Sequence, residues 1–324
     1  MDLNPFTLPD LTMKNSFYRI MPLLAALLML PVSCTKEPVL GDIQATIDGY
    51  TVTFSITASH VDSWLWDFGD GQTSTDEAPV HDYAQSGTYT VTVTATGKGG
   101  EQQASKQITI QPSVTEMLSG GPEAADGKTW VLSSGYIEGV DGGGAVDSAL
   151  TIVLPSVEDM LTQIGLGYEY DNEYTFYGDG RYKVDVKNGI ALTTGLYGSV
   201  IGNIVDYGNE ANNLNIYGGS YTPPDNATWT LHTEDLVVDA ISNPLGTDVP
   251  APHADVTIHG RKWVSLSEGA FFGILDFPTT RKFIIKEITP DRLSVALFIC
   301  GYFLDPNAWS IPTYLIHVTF VPKQ

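Results

Sequence analysis

Apolar and polar residues alternate with period two along Tyr50-Thr51-Val52-Thr53-Phe54-Ser55-Ile56 and again along Tyr89-Thr90-Val91-Thr92-Val93-Thr94-Ala95. That is the pattern of a half-buried β-strand. Between them Trp64-Leu65-Trp66-Asp67-Phe68 runs into Asp70-Gly71, a pair suited to the positive backbone angles of a hairpin turn. His81-Asp82-Tyr83 and Gly87-Thr88-Tyr89 lead into the later strand. Short strands with regular turns over residues 35–112 predict an Ig-like sandwich. The pattern then breaks at 113–127, SVTEMLSGGPEAADG, whose small residues and Gly-Gly-Pro predict an interdomain linker.

Residues 128–324 show the same period. Tyr174 to Tyr177 and Arg181 to Val186 alternate, and Gly178-Asp179-Gly180 joins them as a hairpin. Further strands are predicted at 228–232, 236–238, 262–266, 282–288, 293–300 and 314–321. One helix is predicted at 156–164: Ser156 and Asp159 form a capping box, with Val157, Met160, Leu161 and Ile164 on one face. The expected fold class is all-β, an Ig-like sandwich followed by a larger β-sandwich or a lipocalin-like β domain.

The front end reads differently. Lys14 and Arg19 precede the apolar stretch Met21 to Leu30, 10 residues long. A membrane-spanning helix needs about 20, so the stretch predicts a secretory signal. Ser33-Cys34 closes it and resembles the cleavage site of bacterial lipoprotein signals, with Pro31 where Leu is commonest. That resemblance implies a lipid on Cys34, a true start at Met13, and attachment to the outer membrane, exposed at the cell surface. The membrane would be touched through the lipid anchor alone.

The first β segment resembles the PKD (polycystic kidney disease) domain. Its W-x-F-G-D-G, H-x-Y and G-x-Y-x-V hallmarks are Trp66 to Gly71, His81 to Tyr83 and Gly87 to Val91. The resemblance implies a seven-stranded sandwich, usually a spacer or adhesion module. Residues 128–324 resemble lipoproteins of Bacteroidota glycan-utilisation loci through Lys128 to Leu132, Tyr174 to Tyr182, Trp229 to Leu231 and Ile288 to Val295. This implies a glycan-associated surface lipoprotein, with an outer-membrane glycan transporter as a partner.

Charge narrows the ligand. The chain of 324 residues carries 38 Asp and Glu against 16 Lys and Arg, a net charge of −22. Nucleic acid is bound through clustered cations, so a nucleic-acid partner is not expected. The same surplus disfavours anionic glycans.

Catalysis has one candidate, the acids Glu169, Asp171 and Glu173. On a strand their spacing puts all three on one face, as a glycosidase pair requires. The alternative is a solvated acidic loop leading into the 174–177 strand. No G-x-S-x-G elbow occurs, and the six His show no metal-ligand spacing. Asp141-Gly142-Gly143-Gly144-Ala145-Val146-Asp147 reads as a surface turn rather than a Ca²⁺ loop. Cys300, inside an apolar run, reads as a buried hydrophobe. No cofactor and no metal are implied.

Binding has more. Aromatic rings pack on the C–H faces of sugars while amides and carboxylates bond the hydroxyls. Residues 196–229 interleave Tyr207, Tyr217 and Tyr221 with Asn203, Asp206, Asn209, Asn212, Asn213 and Asn215. Trp309 follows the turn Asp305-Pro306-Asn307, and Phe272 lies between Gly269 and Gly273 at an expected pocket mouth. Trp309, Tyr221, Tyr217, Tyr207 and Phe272 are the expected ligand contacts. The function expected is noncovalent capture of a neutral polysaccharide or oligosaccharide, with a glycoside hydrolase or an adhesion module as alternatives.

Overall fold

The computed structural model describes residues 36–242 and 248–324. The lipidation site Cys34 and the start Met13 lie outside the described residues. The described residues divide into two compact units, one built from 36–83 with 88–109, the other from 84–87 with 110–242 and 248–324.

The first unit has two main sheets. Gln44–Asp48, Thr51–Ser55 and Val80–Asp82 form one of three strands; Thr73–Ser74, Ser63–Asp67, Gly87–Gly97 and Gly100–Ile110 form one of four. The alternation predicted from the sequence decides what lies between them. Val52, Phe54, Trp66, Val91 and Val93 are fully buried, and Phe54 stacks on Phe68 at 5.5 Å.

The second unit is larger. Its central strands are β1 (Lys128–Leu132), β2 (Glu173–Phe176), β3 (Tyr182–Asp185), β4 (Trp229–His232), β5 (Trp263–Leu266), β6 (Lys282–Thr289), β7 (Arg292–Ile299) and β8 (Tyr314–Pro322). Along this path β1–β2–β3 and β4–β5–β6–β7–β8 are runs of antiparallel neighbours, and β8 returns to pair with β1. The step from β3 to β4 is a corner, not a ladder: Arg181 bridges Thr228, the Tyr182 amide donates to Ala227 O at 2.8 Å, and the Trp229 amide donates to Gly180 O at 2.9 Å. The sheet thus curls back on itself.

Both faces of this sheet are apolar where they are covered. Inward-facing Trp130, Tyr174, Phe176, Phe283, Val295, Leu297 and Phe320 share one core. The alternate residues Ile284, Ala296, Phe298 and Leu315 face outward, under the hairpin Leu236–Ile241/His253–Ile258. On this flank two β layers pack as a sandwich.

The curled interior is filled. Phe272 is 4% exposed, stacked on Phe320 at 4.1 Å and on Phe283 at 4.5 Å. It is a plug, not the pocket-mouth residue expected, because its neighbours Phe271 and Ile274 enter the same core. The cavity between Leu161, Leu297 and Ile316 measures about 60 Å³, well below the roughly 300 Å³ at which small-molecule sites begin.

Two local expectations change. The 113–127 stretch is not an open linker: Val114–Ser119 is a helix, capped by Ser113 Oγ accepting from the Glu116 amide at 3.1 Å. Leu118 of that helix is fully buried, and its carbonyl accepts from the Trp130 indole at 2.9 Å. The predicted 156–164 helix shrinks to Met160–Gln163. Asp159 sits at φ 52°, a left-handed conformation in which it makes no side-chain cap.

Candidate functional site

The aromatic and amide-rich stretch folds as a small sheet on the second unit, ordered Ile190–Thr194, Ile216–Ser220, Ile204–Asp206. The helix Gly195–Ile201 starts where Thr194 Oγ1 accepts from the Tyr197 amide and ends at Gly202, φ 70°. Asp206 pairs with Gly218 and so shares its face, while Tyr217 points to the other. Gly218 has no room for a side chain: a Cβ would lie 2.6 Å from the Tyr168 hydroxyl, which donates to Asp206 Oδ2 at 2.7 Å.

Tyr207 leaves this sheet on a tight loop. It is 65% exposed, and its ring meets half-buried Tyr217 edge-on, centroids 5.3 Å apart. Two of the asparagines hold that loop. Asn212 Nδ2 donates to Tyr207 O at 2.9 Å and to Ile216 O at 2.6 Å. Asn209 donates to Gln163 O at 3.0 Å and accepts from the Ala211 amide at 2.8 Å. Asp206 Oδ1 accepts from the Gly208 amide at 2.9 Å. The sequence pointed to these amides as ligand donors; in the fold Asn209 and Asn212 bond the main chain instead.

The other expected contacts lie elsewhere. Tyr221 is an anchor: its ring packs edge-on against Phe271 at 4.8 Å and its hydroxyl donates to Gly269 O at 2.8 Å. Trp309 follows the predicted turn, Pro306–Ala308, with Asp305 Oδ1 accepting from the Asn307 amide at 3.0 Å. It is half-buried, its indole donating to Phe303 O at 3.3 Å. Phe303 and Leu304, at 50% and 52% exposure, form the tip instead.

The three acids go to three environments. Gly167–Asp171 is a 3₁₀ turn, so the strand-face arrangement does not form. Glu169 is 3% exposed; Asn172 Nδ2 donates to its Oε2 at 2.6 Å, and Oε1 has no partner. Burial pushes its carboxyl up to about 8, offset in part by the Leu192 amide and reinforced by Asp206. Asp171 is exposed. Glu173 receives Lys187 Nζ at 2.8 Å and Lys323 Nζ at 2.7 Å. Burial opposes ionisation of Glu173, yet these two lysines hold it below the usual carboxylate range. Neither a converging acid pair nor a solvated loop describes the segment.

Several other titratable groups are held by partners within the fold. The glycine run is a strand, Gly142–Ala145, on β8, and Asp141 accepts from the Thr319 hydroxyl at 2.8 Å. Asp276, pushed up to about 7 by burial, accepts from the Cys300 amide at 2.7 Å. Burial pushes the Cys300 thiol up. His253 and His259 pair with Asp239 and Asp235. No group of metal-ligating side chains occurs among the described residues.

A family profile described as "PKD domain" matches residues 36–112. Residues 36–112 form a PKD domain. Its signature residues are scaffold. His81 Nε2 and Asp70 Oδ2 lie 2.8 Å apart, Phe68 stacks on the His81 ring at 4.0 Å, and the Tyr83 hydroxyl donates to Phe68 O at 2.9 Å. Gly69, at φ 80°, passes so near Thr90 that a Cβ would lie 2.6 Å from its carbonyl oxygen. Trp64, the other aromatic of this segment, is half-buried.

Among curated proteins, the pre-pro-metalloprotease PrtV of Vibrio cholerae is 42% identical over 65 residues, 19% of this chain and 7% of that protein. Collagenase ColA of Bacillus cereus is 42% identical over 57 residues, 17% of this chain and 6% of that protein. The chain thus spans less than a tenth of the length of these relatives, and the likeness lies in their PKD segments, not their catalytic domains. Among solved structures, the PKD1 domain of Vibrio anguillarum Epp is 27% identical, covering 24% of this chain and 99% of that one, TM-score 0.23. A carbohydrate-binding module of the β-sandwich superfamily covers 89% of this chain and 92% of its own at 9% identity, TM-score 0.23; a score that low identifies neither fold nor ligand.

Proposed function

We propose that this protein is a lipid-anchored, cell-surface carbohydrate-binding protein that captures a neutral polysaccharide or oligosaccharide noncovalently for a glycan-uptake system. The observation that carries the reading is the Tyr207–Tyr217 pair. An aromatic ring 65% exposed on a loop held by Asn209 and Asn212 costs little further ordering when a ligand stacks on it. A sugar ring fits such a face through its C–H groups. The signal and Cys34 support the anchor, and the PKD domain serves as a spacer. The surplus of acids, 38 against 16 bases, favours a neutral over an anionic glycan.

Native gels cast with neutral polysaccharides test the reading, scored for retardation and released reducing sugar together. Retardation that Tyr207→Ala abolishes, without sugar release, supports it. Sugar release abolished by Glu173→Gln would replace it with the hydrolase reading. No retardation on any polymer would put the adhesion module ahead.

A further inference from the structure

A second concave surface shares no lining residue with the Tyr207 loop. On the outer face of β1, β2 and β8 lies an open groove of about 880 Å³. Its floor is apolar, because Val131 and Val321 are cross-strand neighbours. Tyr170, carried by the 3₁₀ turn, forms part of its wall.

Above the floor stand polar groups of both kinds. Glu173 Oε1 holds Lys187 Nζ and Lys323 Nζ, and Lys187 also reaches Asp185 Oδ2 at 2.8 Å. Two cations and two carboxylates balance here, and each ammonium keeps N–H groups to spare. Asp171 and Asp291 line the same groove and belong to none of the ion pairs among the described residues. The groove therefore offers donors, acceptors and an apolar floor, with a small surplus of negative charge.

We propose that this groove is a second binding site, specific for a neutral sugar that presents a vicinal diol to Asp171 and Lys323 over the Val131–Val321 floor. Each sugar hydroxyl both donates and accepts, so a diol uses the carboxylate and the ammonium at once. A uronate would use the lysines but meet Asp171 and Asp291. An amine would use those acids but meet Lys187 and Lys323. The volume lies in the range of small-molecule sites. The ligand class rests on the carbohydrate reading above, but the site does not depend on Tyr207.

The test is calorimetric titration of the Tyr207→Ala protein, in which the aromatic surface is removed and the groove is intact. The probes are the hexasaccharides of β-1,4-glucose, β-1,3-glucose, α-1,4-glucose and β-1,4-mannose, with chitosan and galacturonan hexamers alongside. At least one neutral probe is expected to bind. Adding Asp171→Asn or Lys323→Gln, both on exposed positions, is expected to weaken that binding about tenfold each. Residual binding insensitive to both substitutions overturns the proposal. So does binding by the chitosan or galacturonan hexamer alone, or no binding at all. Wild-type binding that Tyr207→Ala removes entirely would overturn the groove and leave the aromatic surface standing. Equal binding by wild type and Tyr207→Ala, lost in the groove variants, would do the reverse.

Discussion

The Asn212 side chain donates to the main-chain carbonyl of Tyr207 at 2.9 Å and to that of Ile216 at 2.6 Å, so one amide clamps both ends of the loop that carries the exposed ring. Asn212→Ala leaves the ring chemistry intact and removes the clamp. The expected cost in stability is about 1–2 kcal/mol, read by urea unfolding. Retardation in polysaccharide gels should fall toward that of Tyr207→Ala. A destabilised variant that still binds fully would show that loop rigidity is not part of recognition.

Glu169 makes stability depend on alkali. In the folded protein its carboxyl holds a proton up to about pH 8, against an ordinary value of 4.5. The unfolded chain releases that proton first, so stability falls as pH rises through this window. Asp276, raised to about 7, acts in the same direction. Glu169→Gln is neutral at every pH. Its melting temperature should match that of the wild type near pH 5 and exceed it by several degrees near pH 8.5. Parallel curves would mean that Glu169 is ionised in the fold.

His317 acts on the acid side. It is fully buried, and neither ring nitrogen has a partner. Burial, aided by Lys286, lowers its value from 6.5 to about 4. Between those values the unfolded chain binds a proton that the fold excludes, so stability falls as pH drops. His317→Leu removes both the titration and the unpaired nitrogens. It should be at least as stable as wild type at neutral pH and lose less stability between about pH 6.5 and 4. Equal acid sensitivity would assign the acid loss to other groups.

Phe272 plugs the curled sheet. Truncating a fully packed phenylalanine costs about 3–5 kcal/mol, so Phe272→Ala should lower the urea midpoint strongly at unchanged slope. A loss below about 1 kcal/mol would mean that the ring does not fill the interior.

Much of this was legible in the sequence, unevenly. The PKD segment announced itself because its turn, ring stack and strand alternation are all local. The strands β2 through β8 were visible wherever one face was apolar. The helix at 156–164 failed because the Leu161 and Ile164 pattern served packing against the sheet, while Asp159 took a left-handed conformation. Gly142–Ala145 was invisible as a strand, since glycine carries no alternation to read. Composition singled out Tyr207 and Tyr217, and the fold brings their two rings together. The groove was missed because Val131, Glu173, Lys187 and Lys323 are far apart in the chain and meet only through strand pairing. Phe272 was misplaced at a pocket mouth because the strands that bury it, carrying Phe283 and Phe320, are not visible as its neighbours in the sequence.

The pairing of β1 with β8 sets an order on biogenesis. Trp130 lies opposite Pro322, and the Lys323 amide donates to Thr129 O at 2.9 Å. The opening strand of the unit pairs early with β2 on one edge, but its other edge is filled only by β8. A ribosome must deliver the chain as far as Pro322 before the sheet can close. Until then β1 and β7 each present an unsatisfied edge. The sheet stays open while the chain is made, and locks when β8 arrives.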